Sequence, residues 1–372
     1  MLAAPVRPGE RHTFVLPPSL EASEPPEARG LDRDQVRLLV AWRHTTDLAH
    51  TTFRHLHDYL RPGDLLVVNN SATLPASVPA TVAGGTVANR TAPPLELHLS
   101  THQGGDRWVV EPRRAARPAS LPFPAAEAGL VLELPGGGEA RLLAPYGTPG
   151  RLWVASLNLQ GRFDEWLAAH GSPIRYSYVC RPWPIEYYQT VFAQHAGSAE
   201  MPSAARPFSA ALVTDLVSRG IGVAPITLHC GVSSLEGHEA PMAEWFDVPE
   251  STADLVNQTR RRGGRVIAVG TTVVRALESS ATAGTAGLAP AAAPVISAQA
   301  RAARGWTDLV VTPEHRVQLV DGMITGWHEP AASHLAMLEA VGGAELLDRS
   351  YRAALAEGYL WHEFGDSHLI LP

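Results

Sequence analysis

An α/β body carrying an inserted small all-β, barrel-like domain is the fold class this sequence predicts, and three observations predict it. Apolar strand-like runs alternate with helix-like runs on both sides of the middle of the chain, over residues 1–71 and 159–372. Between them, over 72–158, short strand-like runs recur between glycines and prolines. Finally, the apolar run VIAV at 266–269 turns through Gly270 straight into a helix-like stretch. A single continuous mixed sheet is the competing reading of the insert.

The elements follow in order. A short strand is expected over 13–16, then a proline-rich turn and a strand over 36–42. Residues 51–60 have a helical pattern, with Phe53, Leu56 and Leu60 on one side. Arg61-Pro62-Gly63-Asp64 is a turn before a buried strand over 65–68 that ends at Asn69-Asn70. In the insert, strands are expected over 95–99, 108–111, 130–134, 141–144 and 152–157. A short helix over 163–170 is stopped by Gly171. Ser209 caps a helix reaching Arg219 with Gly220 past its end, and Ser251 caps one reaching Arg262. A strand lies between them over 225–229. The stretch 281–304, rich in alanine, glycine and proline, reads as a long loop. Strands follow near 309–311 and 317–320, and helices near 332–341 and 344–357.

The chain has 372 residues, 45% hydrophobic and 18% charged, which suits a soluble globular protein of two domains. A formal net charge of -7 argues against a broad electrostatic grip on nucleic acid, although a local basic patch can still provide one. Cys180 and Cys230 are the only cysteines, too few for a disulfide scaffold or a metal cluster. The first residues lack a long apolar core and no run is long enough to span a bilayer, so no membrane partner and a cytoplasmic location are expected.

The stretch GGRVIAVGTTVVRALES at 263–279 carries the most chemistry. A strand that turns through glycine into a helix leaves free N–H groups at the helix start, where an anion or a polar ligand edge can sit. The hydroxyls of Thr271 and Thr272 add donors and acceptors. Arg275 and Glu278 lie three apart and share a helix face. Spacing alone leaves this open, since a plain strand-to-helix connection with a surface ion pair has the same pattern.

Seven islands read in order resemble one family, the S-adenosylmethionine:tRNA ribosyltransferase-isomerases of queuosine biosynthesis. They are RPGDLLVVNN (61–70), YYQTVFA (187–193), AGSAEMPSA (196–204), ITLHCG (226–231), GRVIAVGTTVVRALES (264–279), VDGMITGWHEP (320–330) and FGDSHLIL (364–371). The resemblance implies an α/β body with a β-barrel inserted in the N-terminal third. It implies transfer and isomerisation of the ribosyl group of S-adenosylmethionine, as co-substrate, onto a 7-aminomethyl-7-deazaguanine in a tRNA anticodon. Epoxyqueuosine forms, adenine and methionine leave, and no metal is required.

That chemistry asks for a base to take a ribose C5′ hydrogen acidified by the sulfonium, a proton donor for departing adenine, and room for an attacking amine. His229, at the end of the ITLH run, and His328, in TGWHEP, fall on family histidines and are candidates for acid or base. Glu244 and Asp366 are candidate carboxylates for the sulfonium, the amine or a ribose hydroxyl. Tyr188, Gln189 and Thr190 match an island suited to stacking and reading a base. Ser198, Pro202 and Thr227 lie within matching islands, and Gly270, Thr271, Thr272, Arg275 and Glu278 match the family's own spacing. Each of these also has a plain structural reading.

The chain departs from the family pattern at motif positions. Ala72 and Ser77 stand where arginines are usual, Pro207 and Met242 where histidines are, and Arg206 where leucine is. Glu200 and Met201 replace small residues, and Ser233-Ser234-Leu235 replaces glycine-threonine-phenylalanine. Gly326, Glu329, Ala332 and Ser333 alter another island, and the family's SYGDAML becomes EFGDSHL. Lost arginines weaken a phosphate grip, which Arg113, Arg114 and Arg117, with Arg260, Arg261, Arg262 and Arg265, could restore as a basic track. Three functions therefore compete: the family's reaction, a diverged enzyme with a small-molecule acceptor or donor cleavage alone, and a protein that binds the sulfonium nucleoside without turnover.

Overall fold

A computed structural model of the chain describes residues 14–87, 90–147, 150–232, 242–282, 298–330 and 332–372. Nine strands form the sheet of an α/β body, in the order Leu48–Thr52, Arg37–Trp42, Ser367–Leu371, Gly322–Gly326, Val266–Val269, Leu65–Asn69, Gly222–Leu228, Glu244–Val248 and Ala303–Thr307. The four strands from Gly322–Gly326 to Gly222–Leu228 are mutually parallel. Their burial alternates with period two. Leu65 and Val67 enter one apolar core with Val266 and Ala268, while Leu66 and Val68 enter another with Ile267 and Val269. A sheet buried on both faces needs apolar side chains at every position, which is why LLVV and VIAV read as unbroken runs.

The insert is a closed antiparallel barrel of six strands. Ser77–Val82 pairs with Leu95–Gly104, which pairs with Arg107–Arg114. The order continues through Leu152–Asn158, Gly138–Tyr146 and Val131–Leu134 back to Ser77–Val82. Closure rules out one continuous mixed sheet and leaves the barrel no free edge. Helix Phe163–His170 closes one end, with Trp166 and Leu167 in the barrel core.

Several expected elements differ. Residues 14–16 carry no strand. The 51–60 pattern divides into the end of strand Leu48–Thr52 and a 3-10 helix, Phe53–Tyr59, which still buries Phe53 and Leu56. Ser209 caps as expected, accepting from the Leu212 N–H at 3.1 Å. Ser251 does not cap, because its helix, Glu250–Arg261, starts one residue after Pro249, a residue with φ already suited to helix entry. The 281–304 stretch is not wholly loop. Ala281–Thr282 pairs with Gln299–Ala300, Ala303–Thr307 adds the last strand of the body sheet, and residues 283–297 lie outside the described residues. The segments near 309–311 and 317–320 are not strands, although Val311 and Leu319 are buried. Among the described residues no helix is long and apolar enough to cross a membrane.

Candidate active site

The carboxyl ends of the four parallel strands open on one edge of the body sheet, where α/β proteins collect ligands. Gly326 leads into His328, Val269 into Gly270, Asn69 into Ser71, and Leu228 into His229 and Cys230. Glu244 joins them because its strand runs antiparallel to Gly222–Leu228. His362 joins them because Ser367–Leu371 runs antiparallel to Gly322–Gly326.

At this edge lies a cavity of about 230 Å³. Gly270, Thr271 and Thr272 form one wall. The Gly270 N–H is held by the Ile324 carbonyl at 2.8 Å, and its φ of 98° starts helix Thr271–Ser280. A helix leaves its first N–H groups without intrahelical acceptors, so this turn presents donors to whatever fills the cavity. Arg275 of the same helix pairs with Glu244 and donates to the carbonyls of Leu309, Met242 and Thr307 at 3.0–3.1 Å. Glu244 also accepts the Gly231 N–H at 3.0 Å. The arginine is thereby consumed in bracing the cavity, and its neighbour Glu278 accepts the N–H groups of Gln318 and Leu319 at 2.9 and 2.8 Å.

Three imidazoles complete the cavity. His328 bonds Thr325 Oγ1 at 2.9 Å and stacks on His334, with ring centroids 4.6 Å apart. His362 lies 5.9 Å from His328 and bonds Ser203 Oγ at 2.9 Å. Burial holds His334 and His362 down at about 4 and drives His328 well below its usual range; Arg275 adds to the effect on His334, and neighbouring imidazoles add to it on His328 and His362. The cluster is therefore neutral near pH 7. Glu200 lines the cavity and accepts the Tyr176 hydroxyl at 2.5 Å. Burial raises Glu244 above the usual carboxylate range against the opposing pull of Arg275.

A second space adjoins this one. A groove of about 1360 Å³ runs between barrel and body, with Trp108 and Phe163 on one side and Trp183, Trp245 and Trp306 on the other. Two short segments wall it off from the cavity. Gly197 and His229 face the groove, while Glu200, Cys230 and Gly231 face the cavity.

The expected site residues divide accordingly. His328, Glu244, Pro202, Gly270, Thr271, Thr272 and Arg275 all line the cavity. His229 belongs to the groove instead. Asp366 does not line either space; it accepts the N–H groups of Arg37 and Leu360, both at 2.7 Å, and so pins the start of the last strand. Tyr188 is buried against Phe364 at 5.2 Å. The amide of Gln189 is spent on the backbone of Thr73, and the Thr190 hydroxyl accepts the Phe192 N–H at 3.3 Å. Thr227 bonds Asn70 at 2.7 Å, and Ser198 sits in the wall, fully buried.

The basic track does not form as drawn. Arg113 is buried on Glu111 and Ser120, and Arg265 clamps Asp64 and the Tyr59 carbonyl. Arg260, Arg261, Arg262 and Arg265 precede strand Val266–Val269, at the edge of the sheet opposite the cavity. Sequence reasoning missed His334 and His362, which lie outside any island match, and saw Glu200 and Met242 only as departures. Among the described residues, one group of side chains is close enough to share an ion, His55, His57 and Asp58, and it lines neither space.

Comparison with known proteins gives a consistent result. The family pattern described as Queuosine biosynthesis protein matches residues 10–370. An S-adenosylmethionine:tRNA ribosyltransferase-isomerase of Moorella thermoacetica is 35% identical over 97% of this chain and 99% of that protein. One of the same name from Geobacter sulfurreducens is 33% identical over 96% and 98%. A crystal structure of an S-adenosylmethionine tRNA ribosyltransferase from Thermotoga maritima superposes with a TM-score of 0.50 at 27% identity, covering 96% of this chain and 99% of that one.

Proposed function

The chain belongs to the family of queuosine biosynthesis proteins, and on that premise we propose how its cavity and groove divide the work. It is an S-adenosylmethionine:tRNA ribosyltransferase-isomerase, moving and isomerising the ribosyl group of S-adenosylmethionine onto the 7-aminomethyl-7-deazaguanine of a tRNA anticodon. Adenine and methionine leave and epoxyqueuosine forms.

In our reading the donor nucleoside occupies the cavity against Gly270, Thr271 and Thr272, and the acceptor base arrives through the groove. The sulfonium needs a nearby negative charge, and Glu200 lines the cavity together with Glu244, whose charge is shared with Arg275. His328 takes the C5′ proton. It is neutral at working pH, held by Thr325, and lines the same cavity as the carboxylates. The proton that His328 takes up is the one returned to departing adenine, and His334 and His362 lie neutral beside it. None of these steps calls on a metal. The protein works in the cytoplasm, where its tRNA is found.

The observation that carries this reading is the gathering of three imidazoles and the three carboxylates of Glu200, Glu244 and Glu329 around one strand-to-helix turn. Incubation with S-adenosylmethionine, with and without tRNA bearing the modified base, tests it. Adenine and methionine should appear only with the tRNA. His328→Gln should lower kcat by about 10²-fold or more while the KM for S-adenosylmethionine changes little. Full turnover in that variant removes His328 from the mechanism.

A further inference from the structure

The wall between groove and cavity holds a line of hydroxyls that ends on His229. A backbone N–H can only donate, so the Cys230 N–H makes Ser198 Oγ an acceptor, at 2.9 Å. Ser198 Oγ keeps a second lone pair, so its 2.7 Å bond to Ser71 Oγ can run either way; with Ser198 as the donor, the line points towards His229. Ser71 has two acceptors to choose from, His229 Nδ1 at 2.8 Å and the His195 carbonyl at 3.5 Å. The first is a well-formed hydrogen bond and the second lies at the outer limit. Running that way, the line ends by donating to Nδ1.

A neutral imidazole that accepts at Nδ1 carries its hydrogen on Nε2. Nε2 of His229 has no partner among the described residues, and the side chain lines the groove. Burial holds this imidazole at about 4, with His195 adding to the effect, so it stays neutral near pH 7. The ring is also fixed in place. The Trp245 indole stacks on it, with centroids 5.3 Å apart and planes at 19°. Gly197 closes against it, so tightly that a Cβ there would lie 2.4 Å from Nδ1.

We propose that His229 is a preset hydrogen-bond donor that reads an acceptor atom on the edge of the RNA base entering the groove, and so determines acceptor specificity rather than moving protons in ribosyl transfer. The proposal rests on the tRNA-modifying reading above. The groove suits an unstacked base. Trp245 faces Trp306 across paired strands, and Trp183 supplies a further ring on which single-stranded bases stack. A base stacked there and bonded by a fixed N–H is recognised in both its plane and its edge.

Two measurements on the full-length protein test this. Imidazole ¹⁵N NMR, assigned by the signals lost in His229→Gln, should show the Nε2–H tautomer, and Ser71→Ala should produce a mixture. An Nδ1–H tautomer in the wild type overturns the proposal. Kinetics with the modified tRNA should show His229→Ala raising the KM for tRNA about ten-fold, a change in the range of one lost hydrogen bond. The kcat and the KM for S-adenosylmethionine should hold. His229→Gln, whose amide can donate from near the Nε2 position, should recover most of the loss. A fall in kcat of about 10²-fold in both variants at unchanged KM for tRNA would mark an acid or base instead. If the wild type does not act on tRNA at all, the functional reading falls by itself. The affinity of His229→Ala for an anticodon stem-loop then decides, and unchanged affinity overturns the donor role.

Discussion

His368 shows what a single departure from the family pattern does. It stands where the family carries methionine, is fully buried, and neither ring nitrogen has a hydrogen-bond partner among the described residues. It stacks on Trp327 at 4.7 Å, and burial holds it at about 3. A buried polar group without a partner costs about 1–3 kcal/mol. His368→Met should therefore raise the unfolding free energy by about that amount at pH 7, measured by denaturant titration. The sign with pH follows from linkage. The folded value lies below the unfolded 6.5, so between about pH 6.5 and 3 the unfolded chain binds more protons and stability falls as pH falls, by roughly 1.4 kcal/mol per unit. The variant should lose stability less steeply across that window. At this scale the sequence made some residues legible and others not. His328 sits in the 320–330 island, and both it and Glu244 line the cavity. Asp366 and Tyr188 sit in motifs too, but their polar groups are committed to backbone or buried against Phe364. No linear pattern separates a side chain that holds a strand from one that holds a ligand.

The strand-to-helix turn is the element on which the site depends. Gly270 has φ of 98°, where a side chain is strained whatever the space, and an added Cβ would come within 3.4 Å of Ala204, another cavity residue. Gly270→Ala should cost about 1–3 kcal/mol of stability and raise the KM for S-adenosylmethionine, read by thermal unfolding and by kinetics with the donor varied. Unchanged values of both would mean that this turn neither needs its geometry nor meets the donor. This element was plain in the sequence because VIAV is buried on both faces and glycine must follow. The strand Ala303–Thr307 was not. It is an outer strand of the sheet with an alternating exposure pattern, and ARGWT offers too few apolar residues to stand out from the alanine-rich stretch before it. The buried residues Val311 and Leu319 misled in the opposite sense, since irregular backbone packed on the core has the same apolar signature as a strand.

For the whole molecule, the change of texture in the chain announced the barrel, but not how barrel and body meet. The aromatic groove draws Trp108 from the barrel and Trp245 and Trp306 from the far side of the body sheet. Those positions are far apart in the chain, so only the fold unites them. The arginine clusters misled for a related reason, because a run of cations does not tell which edge of the sheet it occupies. The central claim is that the sulfonium nucleoside sits where the parallel strands end, in the cavity walled by Gly270, Thr271 and Thr272. A crystal structure of the protein soaked with S-adenosylmethionine tests it directly. The account predicts the nucleoside against that turn, with its sulfur between Glu244 and Glu200 and its C5′ within reach of His328. Density for the same molecule in the aromatic groove, with the cavity unfilled, would contradict it.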